Sequence, residues 1–252
     1  MEPKSEEHKR HAVSEHERHF KGKGISDVIL GGQDGLVNVL GVTLGVASAI
    51  NNPFVILVAG LAATFAETIS MAAVAYTSVK ADRDYYNAEK ALEEEEVEKI
   101  PQHEVEEIRE IYAKKGFKGK LLNDVVKVIT SDKKVWVDTM MTEELNLSPK
   151  FGGSPLKSAT VVFVATLIGS LIPLIPFALF NLLTVTNAII VSLVLSVLVL
   201  FIVGVVKAKI TVGNWFISGM ELAVIGSIAA GTGYFIGLGL GNLFGTNVSA
   251  VA

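Results

Sequence analysis

Cysteine is absent from this 252-residue chain, so no disulfide and no thiolate metal site is available. Net charge is small, −4 at neutral pH, which excludes a nucleic-acid partner held by bulk electrostatics. Aromatic residues make up only 8% and prolines number seven. Three stretches carry no Lys or Arg at all: the Asn51-Asn52 turn, the 181–187 segment and the C-terminal tail. No apolar h-region precedes residue 24, so no secretory signal peptide is expected.

Hydrophobic residues, in contrast, are half of the chain, and mean hydropathy is +0.47. Five windows reach the length that a bilayer core demands: roughly 27–50, 53–79, 156–180, 184–206 and 215–244. The 22 basic residues are sorted among the connections: six precede the first window, fourteen lie from Lys80 to Lys157, and Lys207 and Lys209 separate the last two. With five spans these segments share one side. The positive-inside rule makes that side cytoplasmic and puts the C-terminus outside or in a lumen.

The expected fold is therefore all-α, a five-span transmembrane helix bundle. A three-helix cytoplasmic module is inserted between spans two and three. The expected divisions are a polar tail over 1–24, spans one and two over 25–79, an acidic module over 80–150, and spans three to five over 151–252. Asn51-Asn52-Pro53 marks the first turn, since proline suits the first position of a helix. Neither proline nor glycine occurs between Gly60 and Pro101, which predicts one unbroken helix from about residue 54 to 98, joining Glu67 and Met71 to the acidic block. Pro101 breaks it. A second module helix fits 102–114, stopped at Gly116, and a third fits about 119–146, with a candidate interruption at Ser131-Asp132. Pro173 and Pro176 predict a kink in span three. Gly31/Gly35, Gly41/Gly45 and Gly233/Gly237/Gly241 predict close helix approach, either within the chain or between copies.

Ionisable groups inside spans are costly and mark function. Asp34 in span one and Glu67 in span two are the central candidates. Met71 follows Glu67 by one turn on the same face. Together they offer two carboxylates and a thioether to a cation in transit, a mixture that suits a transition metal better than Mg²⁺ or Ca²⁺. Packing side chains are the competing reading, and Asp27 and Glu221 suit the interface equally well. In the module, Glu93/Glu96 and Glu104/Glu107 repeat an i,i+3 spacing, and Met140/Glu144 stand at i,i+4. Such pairs on facing helices build carboxylate metal sites. A solvated acidic surface is the alternative, and it fits Glu94 and Glu95 best. His8, His11, His16 and His19 read as a polar tail or a metal-capture arm.

These motifs, in order, resemble the vacuolar iron transporter family over about 19–244. The resemblance is carried by His19-Phe20, the Asp27 to Leu36 segment with Gly-Gly-Gln-Asp34-Gly, Gly60-Leu-Ala, Ile69-Ser70-Met71 and Tyr76. It continues through Pro101-x-x-Glu104-x-x-Glu107 and Trp136-x-Asp138-x-Met140-Met141-x-x-Glu144. It implies a homodimer that exchanges Fe²⁺ for protons and moves metal out of the cytosol. By motif position it implies Glu93, Glu96, Glu104, Glu107, Met140 and Glu144 as metal ligands of the module, with Asp34 and Met71 on the path between subunits. The family's plant members carry a glutamate where this chain has Ala63, so Glu67 would supply that carboxylate one turn away. Glu221 stands where the family has an uncharged polar residue, and a cytoplasmic-side relay is one use for it.

The expected function is thus a secondary transporter, not an enzyme: a divalent-metal/proton antiporter with Fe²⁺ or Mn²⁺ as cargo, no resident cofactor, and a bilayer and a second copy as partners. A prokaryotic cytoplasmic membrane is favoured over a vacuolar one. Two other classes fit parts of the pattern: a membrane-anchored ferritin-like di-iron oxidase or iron sensor, and an anchored interaction protein without metal.

Overall fold

The nine α-helices of the described residues follow from the punctuation above. A computed structural model describes residues 3–148, 153–179, 181–211 and 213–244, with side chains from residue 24 onward. Helix α1 is Pro3–Ala49, α2 Pro53–Lys99, α3 Pro101–Lys114, α4 Gly119–Thr130, α5 Lys133–Glu143 and α6 Pro155–Leu171. A 3₁₀ turn, Ile172–Leu174, leads to α7, Ile175–Ala178, and then come α8, Val185–Ile210, and α9, Trp215–Leu243. The tail histidines His8, His11, His16 and His19 lie outside the described side chains. Five helical segments are long and apolar enough to cross a membrane: Gly24–Ala49, the apolar part of α2, Pro155–Ala178, α8 and α9.

Caps set the helix starts. Asn52 Oδ1 accepts hydrogen bonds from the N–H groups of Phe54 and Val55 at 3.0 and 3.3 Å, which places Pro53 at the first helical position. Asn214 does the same for α9, accepting from Phe216 and Ile217 at 2.9 and 3.3 Å. In span three the expected kink appears as the 3₁₀ turn around Pro173. The free carbonyl of Pro173 accepts a 2.7 Å bond from the buried Ser192 hydroxyl of α8.

The chain divides into two compact units, residues 1–75 with 156–252, and residues 76–155. In the first, Leu36, Leu40, Leu44, Ile56, Phe177 and Leu200 are fully buried. Glycines let backbones meet. A Cβ on Gly45 would stand 2.9 Å from the Gly233 carbonyl oxygen, and one on Gly233 or Gly237 would collide with the backbone of Gly41 or Gly45. Gly31 would meet the Val162 carbonyl and the Thr166 hydroxyl at 2.8 Å. The glycine faces of α1 are thus spent inside the chain, on α9 and α6, and not between copies. Gly233→Val is expected to destabilise the fold by about 1–3 kcal/mol through overpacking, read as a lower Tm in detergent. The same change at Gly231, which has nothing within 4 Å, leaves Tm in place.

In the second unit the segment expected as a third helix, 119–146, is two helices, divided at the candidate interruption Ser131-Asp132. Asp132 caps α5 by accepting from the N–H groups of Lys134 and Val135 at 2.8 and 3.2 Å. An Asp that satisfies the next helix's free donors ends the previous one. Val97, Ile108, Val126, Trp136, Val137, Met140 and Met141 form the core between the end of α2, α3, α4 and α5. Gly116, at φ +98, closes α3.

Candidate metal centre

Glu93 and Glu96 lie one turn apart near the end of α2. Ile100 makes the corner, at φ −130 and ψ 47, and Pro101 opens α3. The chain reverses there, so Glu104, in the first turn of α3, returns to the two glutamates. One oxygen from each of Glu93, Glu96 and Glu104 lies within 4.8 Å of the others. The N-terminal end of α3 favours negative charge there.

Burial separates this cluster from a solvated acidic face. Glu93 is 5% exposed and Glu104 2%. Their Oε2 atoms are buried with no hydrogen-bond partner. Native proteins rarely leave such acceptors unmet without a further group to take them. Glu94 and Glu95, by contrast, point to solvent and pair with Lys90 at 3.9 Å and with Lys99.

Glu93 and Glu104 resist ionisation. Burial first, and then repulsion from Glu144, Glu104, Glu96 and Glu107, pushes Glu93 up to about 7. Burial, then Glu107, Glu96 and Glu144, pushes Glu104 up to about 7 as well, against a small opposing pull from His103. Glu144, which follows α5, is raised by burial and by Glu107 and Glu96. His103 lies 3.4 Å from Glu107. A carboxyl raised from 4.5 to about 7 in the folded chain favours the protonated native state. The metal-free fold is therefore expected to lose stability as pH rises from about 5 to 8. Chemical denaturation across that range measures it, and a stability independent of pH would contradict it.

Of the six expected ligands, Glu93, Glu96 and Glu104 are brought together, and Glu107 and Glu144 lie within electrostatic reach. Met140 is fully buried in the unit's apolar core, among Ile108, Trp136 and Val137. Trp136 Nε1 is a buried donor without a partner in the same unit, which its place in a motif did not announce.

In the other unit the Asp34 side chain is hydrogen-bonded to Glu67, joining spans one and two. Asn38 Nδ2 donates to Asp34 Oδ2 over 3.4 Å. Met71, half-buried, stands one turn beyond Glu67. Asp27 accepts a 2.7 Å bond from the buried Ser158 hydroxyl of α6. Glu221 pairs with Lys207 of α8 at 3.6 Å, in an exposed ion pair. The spacing of Asp27 and Asp34 does not reveal their partners Ser158 and Asn38, although a polar residue inside an apolar run is a signal for each.

An all-helical chain with five membrane-length helices, a carboxyl pair inside two of them and a buried carboxylate cluster is a polytopic membrane protein that handles cations. The VIT family model matches residues 25–238, and the chain belongs to that family. It is 33% identical over 231 residues to vacuolar iron transporter 2 of Oryza sativa subsp. japonica, covering 91% of this chain and 93% of the relative. It is 32% identical to vacuolar iron transporter 1 of Arabidopsis thaliana, covering 86% and 87%. The vacuolar iron transporter of Toxoplasma gondii is 34% identical, covering 90% and 77%. The chain is a membrane transporter and not an enzyme.

Proposed function

We propose that this chain carries a divalent transition metal, Fe²⁺ first and Mn²⁺ second, out of the cytosol in exchange for protons, and that it works as a homodimer. The observation that carries the reading is the Glu93, Glu96 and Glu104 cluster, whose two buried oxygens have no protein partner. A divalent cation there would satisfy both oxygens and relieve the repulsion. The names of the relatives support iron as the metal. Glu107, Glu144 and the Met140 thioether complete the proposed ligand set, the thioether favouring a transition metal over Ca²⁺ or Mg²⁺. The module is cytoplasmic in this reading, on the basic side of the membrane, and collects metal from the cytosol.

Asp34, Glu67 and Met71 then form the proposed transport site. A metal ion needs both carboxyl groups deprotonated, so metal and protons compete for the same pair. Metal entry therefore displaces a proton, and protons entering from an acidic far side displace the metal. A prokaryotic cytoplasmic membrane is the proposed location. The test is flux into proteoliposomes: metal uptake should require an opposing pH gradient, and uptake indifferent to the gradient would overturn the exchange. The ferritin-like alternative would need a Glu-x-x-His pair, whereas His103 and Glu107 stand at i,i+4. Ferroxidase activity of the full chain would favour that alternative.

A further inference from the structure

Asn38 sits near the middle of the 26-residue span Gly24–Ala49, yet its side chain is exposed. Thr43, Thr64 and Thr68 each donate to the carbonyl four residues back in their own helix, at 2.7, 2.8 and 2.7 Å. Asn38 does otherwise. Its Nδ2 reaches Asp34 Oδ2, one turn earlier on the same face, and among the described residues nothing donates to its Oδ1. A carboxamide oxygen without a donor, facing hydrocarbon at mid-membrane, is strongly disfavoured. The face that carries Asp34 and Asn38 is therefore wet.

The register of spans one and two shows where that wet face leads. Asp34 meets Glu67, and Thr43 Cγ2 lies 2.9 Å from where a Gly60 Cβ would stand. Asn38 lies between those two levels on α1. Further along this face of α1 the next residue, Val42, is apolar and 40% exposed. Asn38 is thus the polar group immediately past the carboxyl pair.

We propose that Asn38 lines the ion's route next to Asp34. Its Oδ1 offers a neutral oxygen to the hydrated cation, and its Nδ2 orients the Asp34 carboxylate. This rests on the reading of Asp34 and Glu67 as the transport site, but not on proton exchange.

The chain has no cysteine, so Asn38→Cys introduces a lone thiol. In proteoliposomes, a cationic, membrane-impermeant methanethiosulfonate should modify it, and Mn²⁺ should slow the modification about threefold or more by occupancy. Ile202→Cys, on α8 and 50% exposed, should stay unmodified in lipid. An unreactive Asn38→Cys, as expected of a side chain buried against lipid or a second copy, overturns the proposal. So does a reaction rate that Mn²⁺ leaves unchanged. Should Asn38→Cys not fold, metal flux decides: Asn38→Leu raises KM about tenfold and Asn38→Ser keeps it within about threefold, as loss and retention of one polar ligand require. A parental KM in Asn38→Leu overturns it. Flux that ignores the pH gradient while Mn²⁺ still protects residue 38 sinks proton exchange and leaves this assignment standing.

Discussion

Asp34→Ala is expected to reduce metal flux into proteoliposomes by about a thousandfold or more, with the protein still folded and still able to bind metal at its acidic module. The size follows from what the side chain does. It is half of the only carboxyl pair that the described residues place between two membrane-length helices, and it holds Glu67 and Asn38 at once. Removing one charged ligand from a low-dielectric site costs several kcal/mol, and each 1.4 kcal/mol is tenfold. Glu67→Ala should match it. Glu67→Asp, with a shorter arm, should keep part of the flux. Equal flux in Asp34→Ala and the parent would remove the pair from the transport route. Unchanged metal binding with lost flux would separate collection from translocation.

The double substitution Glu93→Gln/Glu104→Gln is expected to weaken metal binding by about a hundredfold or more in isothermal titration of the full chain, since a neutral amide replaces each of two buried anions. Stability should move the other way. Without metal, the two carboxyls ionise at a cost above about pH 7, because burial and neighbouring glutamates hold their protons. Glutamines of nearly the same shape remove that cost, so the variant should be more stable than the parent at pH 8 without metal and less stable than the parent when metal is saturating. A purely structural acidic patch gives neither the lost affinity nor the reversal on adding metal. Glu94→Gln/Glu95→Gln, which touches only solvent-facing glutamates, should change neither quantity.

The residues differ in how plainly the sequence announces them. Span lengths and the Pro101 break are local properties, governed by hydrocarbon thickness and by a ring that cannot donate a hydrogen bond, so both are readable in one dimension. The i,i+3 spacing of Glu93 and Glu96 likewise places them on one helical face. Asp132 was harder: the same residue type serves as a surface charge or a cap, and only the position of the Lys134 and Val135 amides decides. The glycines show the limit most clearly. Their spacing announces close approach but not the partner, because the partner helix, α9, lies almost two hundred residues away in sequence from α1. Asn38 and Ser158 escaped for a related reason. Their hydrogen bonds reach carboxylates whose importance is visible in the sequence, while their own is visible only once the helices have packed.

The glycine seam also bears on how a transport cycle can move. Where α1 and α9 touch through Gly41, Gly45, Gly233 and Gly237, main chain lies against main chain, and the Ser48 hydroxyl beside Gly237 is held on the Tyr234 carbonyl at 2.9 Å. Such a junction has no soft coordinate: sliding by a fraction of a residue drives carbonyl oxygens into Cα atoms. The α1–α9 pair therefore behaves as a stator, and Asp34 and Asn38 ride on its fixed part. If Asp34 and Glu67 form the proposed transport site, opening and closing around the ion would be hinged away from this seam.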